Sequence, residues 1–324
     1  MRAILKTSVL LGLLAVASAP GLHAAGGYPG HPVKVIVPFP AGGVTDIATR
    51  VIVQRLSERL GQQFYVENIG GAGGNIGMAD AAHAAGDGYT ILFASSSIVV
   101  NPSLYKKIPF DVKKDFIPVI KAGASPNSWP VNRNFPAKTM DELIDLMKAS
   151  PGKLSVASPG TGTTPSLSIE LLKQELEVSF VTVPFAGGGP MVQSVLAGFT
   201  PIACAAIGNS VPLIKEGKIR ALAITSNKHL ATLPDVATLD ELGIKNQEAE
   251  TMTGVFVPAG TPRPILELLQ KEISTIVRMP DVTARLLDFG VIPEGDSSAD
   301  FAAYIENEIA KWKRVIEIGK IDRI

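Results

Sequence analysis

The chain has 324 residues, of which 46% are hydrophobic and 19% charged, with 30 basic side chains against 30 acidic ones. That is long enough for two domains with cores of their own and too apolar for a disordered chain. The charge balance argues against a nucleic-acid partner, which requires a basic surplus, and a single cysteine, Cys204, excludes an internal disulfide.

The first elements read as an export signal over residues 1–24. Arg2 and Lys6 precede an apolar stretch over 9–16, and small residues lead to Leu22-His23-Ala24, with cleavage expected near Ala24. The apolar stretch is too short to span a membrane. Loss of Arg2 and Lys6 leaves 28 basic and 30 acidic side chains. No cysteine lies near the cleavage region to carry a lipid, so a soluble periplasmic protein is expected.

Strands and helices then alternate. Residues 33–39 are a near-continuous apolar run and predict a buried strand. Residues 44–60 predict a helix with Ala48, Ile52, Leu56 and Leu60 on its core face, Thr45 or Asp46 as cap and Gly61 as stop. A strand over 64–68, a helix over 74–85 and a strand over 89–94 follow, the last ending in Ser95-Ser96-Ser97. Prolines 102, 109, 118, 126 and 130 interrupt the next stretch and suit a crossing between lobes.

A second α/β unit comes next. Helices are expected over 140–149, 165–176, 190–197 and 211–216, and strands over 154–158, 180–185, 200–205 and 219–225. Cys204, inside the apolar run 201–207, reads as a buried packing residue. The strand over 219–225 reads as the return to the first lobe. A strand over 254–257 and a helix over 264–278 precede an amphipathic helix from 299 to about 318. Phe301, Ile305, Ile309, Trp312 and Ile316 form that helix's buried stripe, and Ser297 or Ser298 its cap. The alternation implies largely parallel sheets. The organisation expected is a discontinuous first lobe, 25–124 with 228–324, and a second lobe over 125–227, joined by two hinge strands.

One motif recurs: Val37-Pro38-Phe39-Pro40-Ala41-Gly42-Gly43 and Val183-Pro184-Phe185-Ala186-Gly187-Gly188-Gly189. Each copy ends a strand and opens a helix. Such a turn presents backbone N–H groups and the positive end of a helix dipole to an anion. The bland alternative is a pair of ordinary α/β turns that need glycine for tight geometry. Gly160-Thr161-Gly162-Thr163-Thr164 offers hydroxyls and backbone donors at another helix start, without the lysine of a phosphate loop. Gly71-Ala72-Gly73-Gly74-Asn75-Ile76-Gly77 has its third glycine one place late for a dinucleotide fingerprint and lacks the acidic ribose partner. Histidines stand only at 23, 31, 83 and 229, with no metal-ligand spacing, and no Gly-x-Ser-x-Gly turn occurs. No cofactor, metal or catalytic residue is therefore expected, and Asp46 reads as a cap rather than a base.

Several stretches in order resemble the Bug-type extracytoplasmic solute receptors of the tripartite tricarboxylate transporter family. Among them are Gly42-Gly43-x-Thr45-Asp46-Ile47-Ala48-x-Arg50, Val66-Glu67-Asn68, the glycine run 71–77, Asp87-Gly88-Tyr89-Thr90, Gly217-Lys218-Ile219-Arg220-Ala221-Leu222-Ala223 and Pro258-Ala259-Gly260-Thr261-Pro262. The resemblance covers essentially the whole mature chain. It implies an α/β, two-lobed periplasmic binding protein, type II-like, that closes on a small carboxylate.

Carried onto this chain, the cleft residues are Phe39, Ala41, Gly42, Gly43, Thr45, Asp46, Ser95 and Ser96 from the first lobe. The second lobe supplies Gly162, Thr163, Thr164, Ser166, Phe185, Ala186, Gly187 and Ala205. The family often has His at the place of Ser166 and commonly Phe-Asp at the place of Cys204-Ala205. That Asp pairs with a ligand ammonium in amino-acid-binding members, and Ala205 cannot. The resemblance thus implies a monomeric, non-enzymatic receptor for an organic carboxylate other than an α-amino acid, delivering to membrane permease subunits. Alternatives are a ligand sensor that reports to a signalling protein and, remotely, an exported α/β enzyme using Asp46 and the serines.

Overall fold

The computed structural model describes residues 27–324, and the expected signal and its cleavage near Ala24 lie outside the described residues. The chain begins with the strand β1 (Val33–Val37), the helix α1 (Val44–Leu60), β2 (Phe64–Asn68), α2 (Asn75–Ala82), β3 (Thr90–Ala94), α3 (Ser97–Leu104) and the single turn α4 (Val112–Asp115). β4 (Phe116–Asn132) is then 17 residues long. The middle of the chain carries α5 (Met140–Ala149), β5 (Ser155–Ser158), α6 (Thr164–Glu175), β6 (Val181–Pro184), α7 (Gly188–Ala197), β7 (Ile202–Ala203), β8 (Ala205–Ala206), α8 (Val211–Lys215) and β9 (Ile219–Ile224). The last stretch holds β10 (Glu250–Pro258), α9 (Arg263–Val277), α10 (Pro280–Asp288), β11 (Ile292–Pro293) and α11 (Ser298–Ile318).

The strands form one path, β2-β1-β3-β10-β4-β7-β5-β6, that divides into two halves at β4. β1 lies parallel to β2 and β3, and β5 parallel to β6 and β7. The joining strands run the other way: β10 is antiparallel to β3 and β4, and β4 is antiparallel to β7, β8 and β9. The proline-rich stretch expected as an irregular crossing holds the end of α3, then α4, and from Phe116 one continuous strand. Two of its prolines fit because the ladder slips where they stand: register shifts occur beside Pro118 and Pro130, while Pro126 stands where the pairing with β10 ends. A proline cannot donate to a ladder and is tolerated in strands at such irregularities.

Helices cover both faces of each half. On the first, β1 and the inner face of α1 (Ala48, Ile52, Leu56) join Leu269 and Ile273 of α9. On the opposite face, Ile36 and Leu92 meet Phe301, Ile305, Trp312 and Ile316 of α11. Both stripes follow the 3.6-residue period. In the second half, α5 and α6 pack on one side around Trp129, and Met191, Val192 and Val195 of α7 on the other.

One boundary differs from expectation. β9 stays in the second lobe beside β4, and the chain beyond it does too: Leu239 and Ile244 join the core around Trp129. A segment lodges where its apolar side chains can be buried, and here that keeps residues 228–248 with the second lobe, while Ala249 joins the core of the first. The return crossing is at Ala249–Glu250, where β10 begins.

Candidate functional site

A cavity of about 490 Å³ of atom-free space, its mouth included, lies between the lobes. Four helix starts face it. α1 contributes Gly43 to Asp46, α6 contributes Thr163 to Pro165, α7 contributes Gly187 and Gly188, and Ser95 and Ser96 lead into α3. The first N–H groups of a helix have no carbonyl partner within it, and its dipole places partial positive charge at the same end. The first bond within α1 runs from Ile47 N–H to the Gly43 carbonyl, so the N–H groups of Thr45 and Asp46 lie upstream of the ladder.

Among the described residues, Asp46 is the one charged residue lining the cavity, 3% exposed, and its oxygens are already occupied. They accept Gly42 N–H at 3.0 Å, Asn68 Nδ2 at 2.9 Å and Arg50 Nε at 3.1 Å. Asn68 Nδ2 also reaches the Phe39 carbonyl at 2.9 Å. The carboxylate thus ties the loop before α1 to β2. Burial pushes its pKa up, and the hydrogen bonds from Arg50, Gly42 and Asn68 with the Arg50 charge outweigh this, so the carboxyl titrates below its ordinary range. The helix cap expected at Thr45 or Asp46 is instead Gly43, with Asp46 reaching back to the preceding N–H.

The hydroxyls are also engaged. Ser95 Oγ pairs with Ser97 Oγ at 3.0 Å. Ser96 Oγ of the first lobe and Thr164 Oγ1 of the second both donate to the Glu250 carbonyl, at 2.9 and 3.0 Å. One carbonyl at the start of β10 therefore receives a bond from each lobe. Thr163 accepts Ser166 N–H, as a cap of α6. Among the described residues no histidine lines the cavity.

Of the residues singled out from sequence, Phe39, Gly43, Thr45, Asp46, Ser95, Ser96, Thr163, Thr164 and Gly187 line this cavity. Phe185 and Ala186 line an adjoining outer chamber. Ala41 and Gly42 stand on the exposed rim opposite Gly189. Gly162 packs against Asn101 and Tyr105, and Ser166 lines neither space. Ala205 is a correction: it is 0% exposed, its carbonyl accepts Ser128 Oγ at 3.1 Å, and its methyl sits with Ala157 and Met191. Successive residues of a strand face opposite ways, so Ala206 takes the place on the wall.

Asn209 and Thr251 line the cavity too and were missed. Asn209 reaches from the second lobe to accept Val44 N–H of α1 at 3.0 Å. Its side chain fills the space beside Gly188, where a Cβ would come within 2.5 Å of Nδ2. The signal was available, because Asn209-Ser210 follow an apolar run just as Ser95-Ser96-Ser97 do. Thr251 is a hydroxyl within an otherwise apolar strand.

A sequence model described as the tripartite tricarboxylate transporter family receptor matches residues 48–320. Protein BugT of Bordetella pertussis is 34% identical over 291 residues, covering 89% of this chain and 89% of BugT. The structure of Rpa4515 of R. palustris with adipate superposes with a TM-score of 0.89 at 32% identity, covering 92% of this chain and all of the other. MatC (Rpa3494) from Rhodopseudomonas palustris with bound malate gives 0.84 at 33% identity, covering 89% of this chain and 100% of that one.

Proposed function

The chain belongs to the tripartite tricarboxylate transporter family of receptors, and from that membership we propose that it captures a small organic carboxylate between its lobes in the periplasm and hands it to the permease subunits of a tripartite transporter. The observation that carries this reading is the convergence of four helix starts on one interlobe cavity without a free charged side chain. Backbone N–H groups and helix dipoles favour an anion there. The similarity to proteins solved with adipate and with malate supports the carboxylate class.

An α-amino acid fits poorly. Its ammonium would meet only Asp46, whose oxygens serve Gly42, Asn68 and Arg50, and a buried ammonium without a partner is costly. Contacts formed with both lobes at once favour the closed arrangement. A shift from 1:99 to 99:1 needs about 5.5 kcal/mol of differential binding, which two to four charge-assisted hydrogen bonds of about 1.5–3 kcal/mol each supply.

The test is a thermal-melt and calorimetry screen of the mature protein against mono-, di- and tricarboxylates and amino acids. A carboxylate at one hundred times its Kd is expected to stabilise the fold by about 2.7 kcal/mol, with no shift from amino acids. A shift from amino acids alone would overturn the reading.

A further inference from the structure

The cavity at the helix starts is not closed at its outer end. It shares Phe39, Pro40 and Pro159 with a second space of about 1120 Å³, open mouth included, which runs between the glycine turn 70–74 and Tyr105 of the first lobe and Pro159–Thr161 and Pro184–Ala186 of the second. Two contacts between the lobes bracket this chamber. On one side Gly73 lies so close to the second lobe that a Cβ would come within 2.8 Å of the Thr161 carbonyl oxygen. On the other, Pro40 lies 3.4 Å from where a Cβ of Gly187 would stand. Among the described residues no charged side chain lines the chamber, and Phe39 and Phe185 line it from opposite lobes.

The two spaces differ in chemistry. The inner one offers four helix starts and hydroxyls, and the outer one offers proline, phenylalanine and tyrosine surface beside the glycine backbone of 70–74. We propose that the ligand is a monocarboxylate with an uncharged apolar body, its carboxylate at the helix starts and its body in the outer chamber between Phe39 and Phe185. This rests on the carboxylate reading of the inner cavity and narrows it. The outer chamber lies beyond the four helix starts that receive the carboxylate, and a second carboxylate there would meet mainly proline and aromatic carbons. An apolar body would instead release water from apolar walls. Such a ligand differs from the adipate and malate with which similar proteins were solved.

Calorimetry of the full mature chain with hexanoate, phenylacetate, adipate and malate tests this. Hexanoate and phenylacetate are expected to bind at least about tenfold more tightly than adipate, a tenfold step in Kd being about 1.4 kcal/mol. Phe185→Ala is expected to shrink that preference by about tenfold, while Phe185→Leu retains most of it. Ala186 is exposed, and Ala186→Lys, which places a cation at the chamber, is expected to shift the preference toward adipate. Tighter binding of adipate or malate by the unaltered chain, or a preference untouched by Phe185→Ala and Ala186→Lys, would overturn the inference and leave the carboxylate reading standing. Failure of every carboxylate to bind would overturn both.

Discussion

Asp46→Ala removes the group that shapes the loop before α1, and its cost can be worked out bond by bond. The carboxylate accepts Gly42 N–H at 3.0 Å and Asn68 Nδ2 at 2.9 Å. Hydrogen bonds to a charged group contribute about 1.5–3 kcal/mol each. Gly42 is exposed, so its N–H would turn to water and its share falls at the low end. The Arg50 side chain is 51% exposed, and an ion pair of that kind adds about 0–1 kcal/mol. The expected loss is about 2–4 kcal/mol, or about 3–6 °C in Tm for a chain of this size. Asp46→Asn should recover little, because its amide would face the donors of Arg50 and Asn68. The loss should also depend on pH. The folded carboxyl titrates below its ordinary range, so its contribution is full above the unfolded value of about 3.9 and vanishes as pH falls through the folded value. Scanning calorimetry of the unaltered chain and Asp46→Ala at pH 7 and pH 3 reads both effects. Equal melting at pH 7, or a difference that does not narrow toward pH 3, would refute the account of this loop.

Asn209→Ala removes the bond that crosses from the second lobe to Val44 N–H. About 1 kcal/mol lost from the closed arrangement should raise the ligand Kd about fivefold by calorimetry. Gly188→Ala pushes a methyl into the Asn209 amide and should raise Kd in the same direction by displacing that side chain. Lys121, buried between Glu250 at 2.5 Å and Glu294 at 3.1 Å, bridges the two strands that join the lobes. Burial lowers its pKa, but the two carboxylates outweigh this and raise it overall. Its contribution is therefore full below the unfolded value of about 10.4 and lost as pH rises through the folded one. Lys121→Met should cost about 1–3 kcal/mol in urea titration at pH 7, tempered by the partial exposure of both glutamates. Trp312→Ala empties a fully buried site under α11 and should cost about 3–5 kcal/mol by the same measure.

Much of this fold could be read from local signals. α1 runs over the residues its apolar period marks and stops at Gly61, left-handed at φ 69°. α11 buries Phe301, Ile305, Trp312 and Ile316 beneath a Ser297 cap. β4 was hidden because its prolines read as breaks, and the ladder slips at Pro118 and Pro130 reconcile two of them with a strand. α3 was hidden for a similar reason, since it starts at a serine triplet and carries Pro102 inside. The lobe boundary near residue 249 depends on where Leu239 and Ile244 find a core, which is a long-range fact with no local marker.

The candidate site divides the same way. Its glycine turns and serine cluster are local motifs, so the loop residues were legible. Which of two adjacent alanines faces the cavity is a matter of strand register, and Ala206 rather than Ala205 could be read only from the pairing of β8 with β4. The role of Asp46 depends on Asn68 and Arg50 arriving from other parts of the fold. The cross-lobe bond of Asn209 joins positions 165 residues apart.

The most direct measurement is a crystal structure of the mature chain holding the carboxylate that most raises its Tm. The carboxylate oxygens should lie within about 3 Å of backbone N–H groups at the start of α1 in one lobe and of α6 or α7 in the other. A carboxylate paired with a lysine or arginine, or seated outside the space between the lobes, would contradict the account.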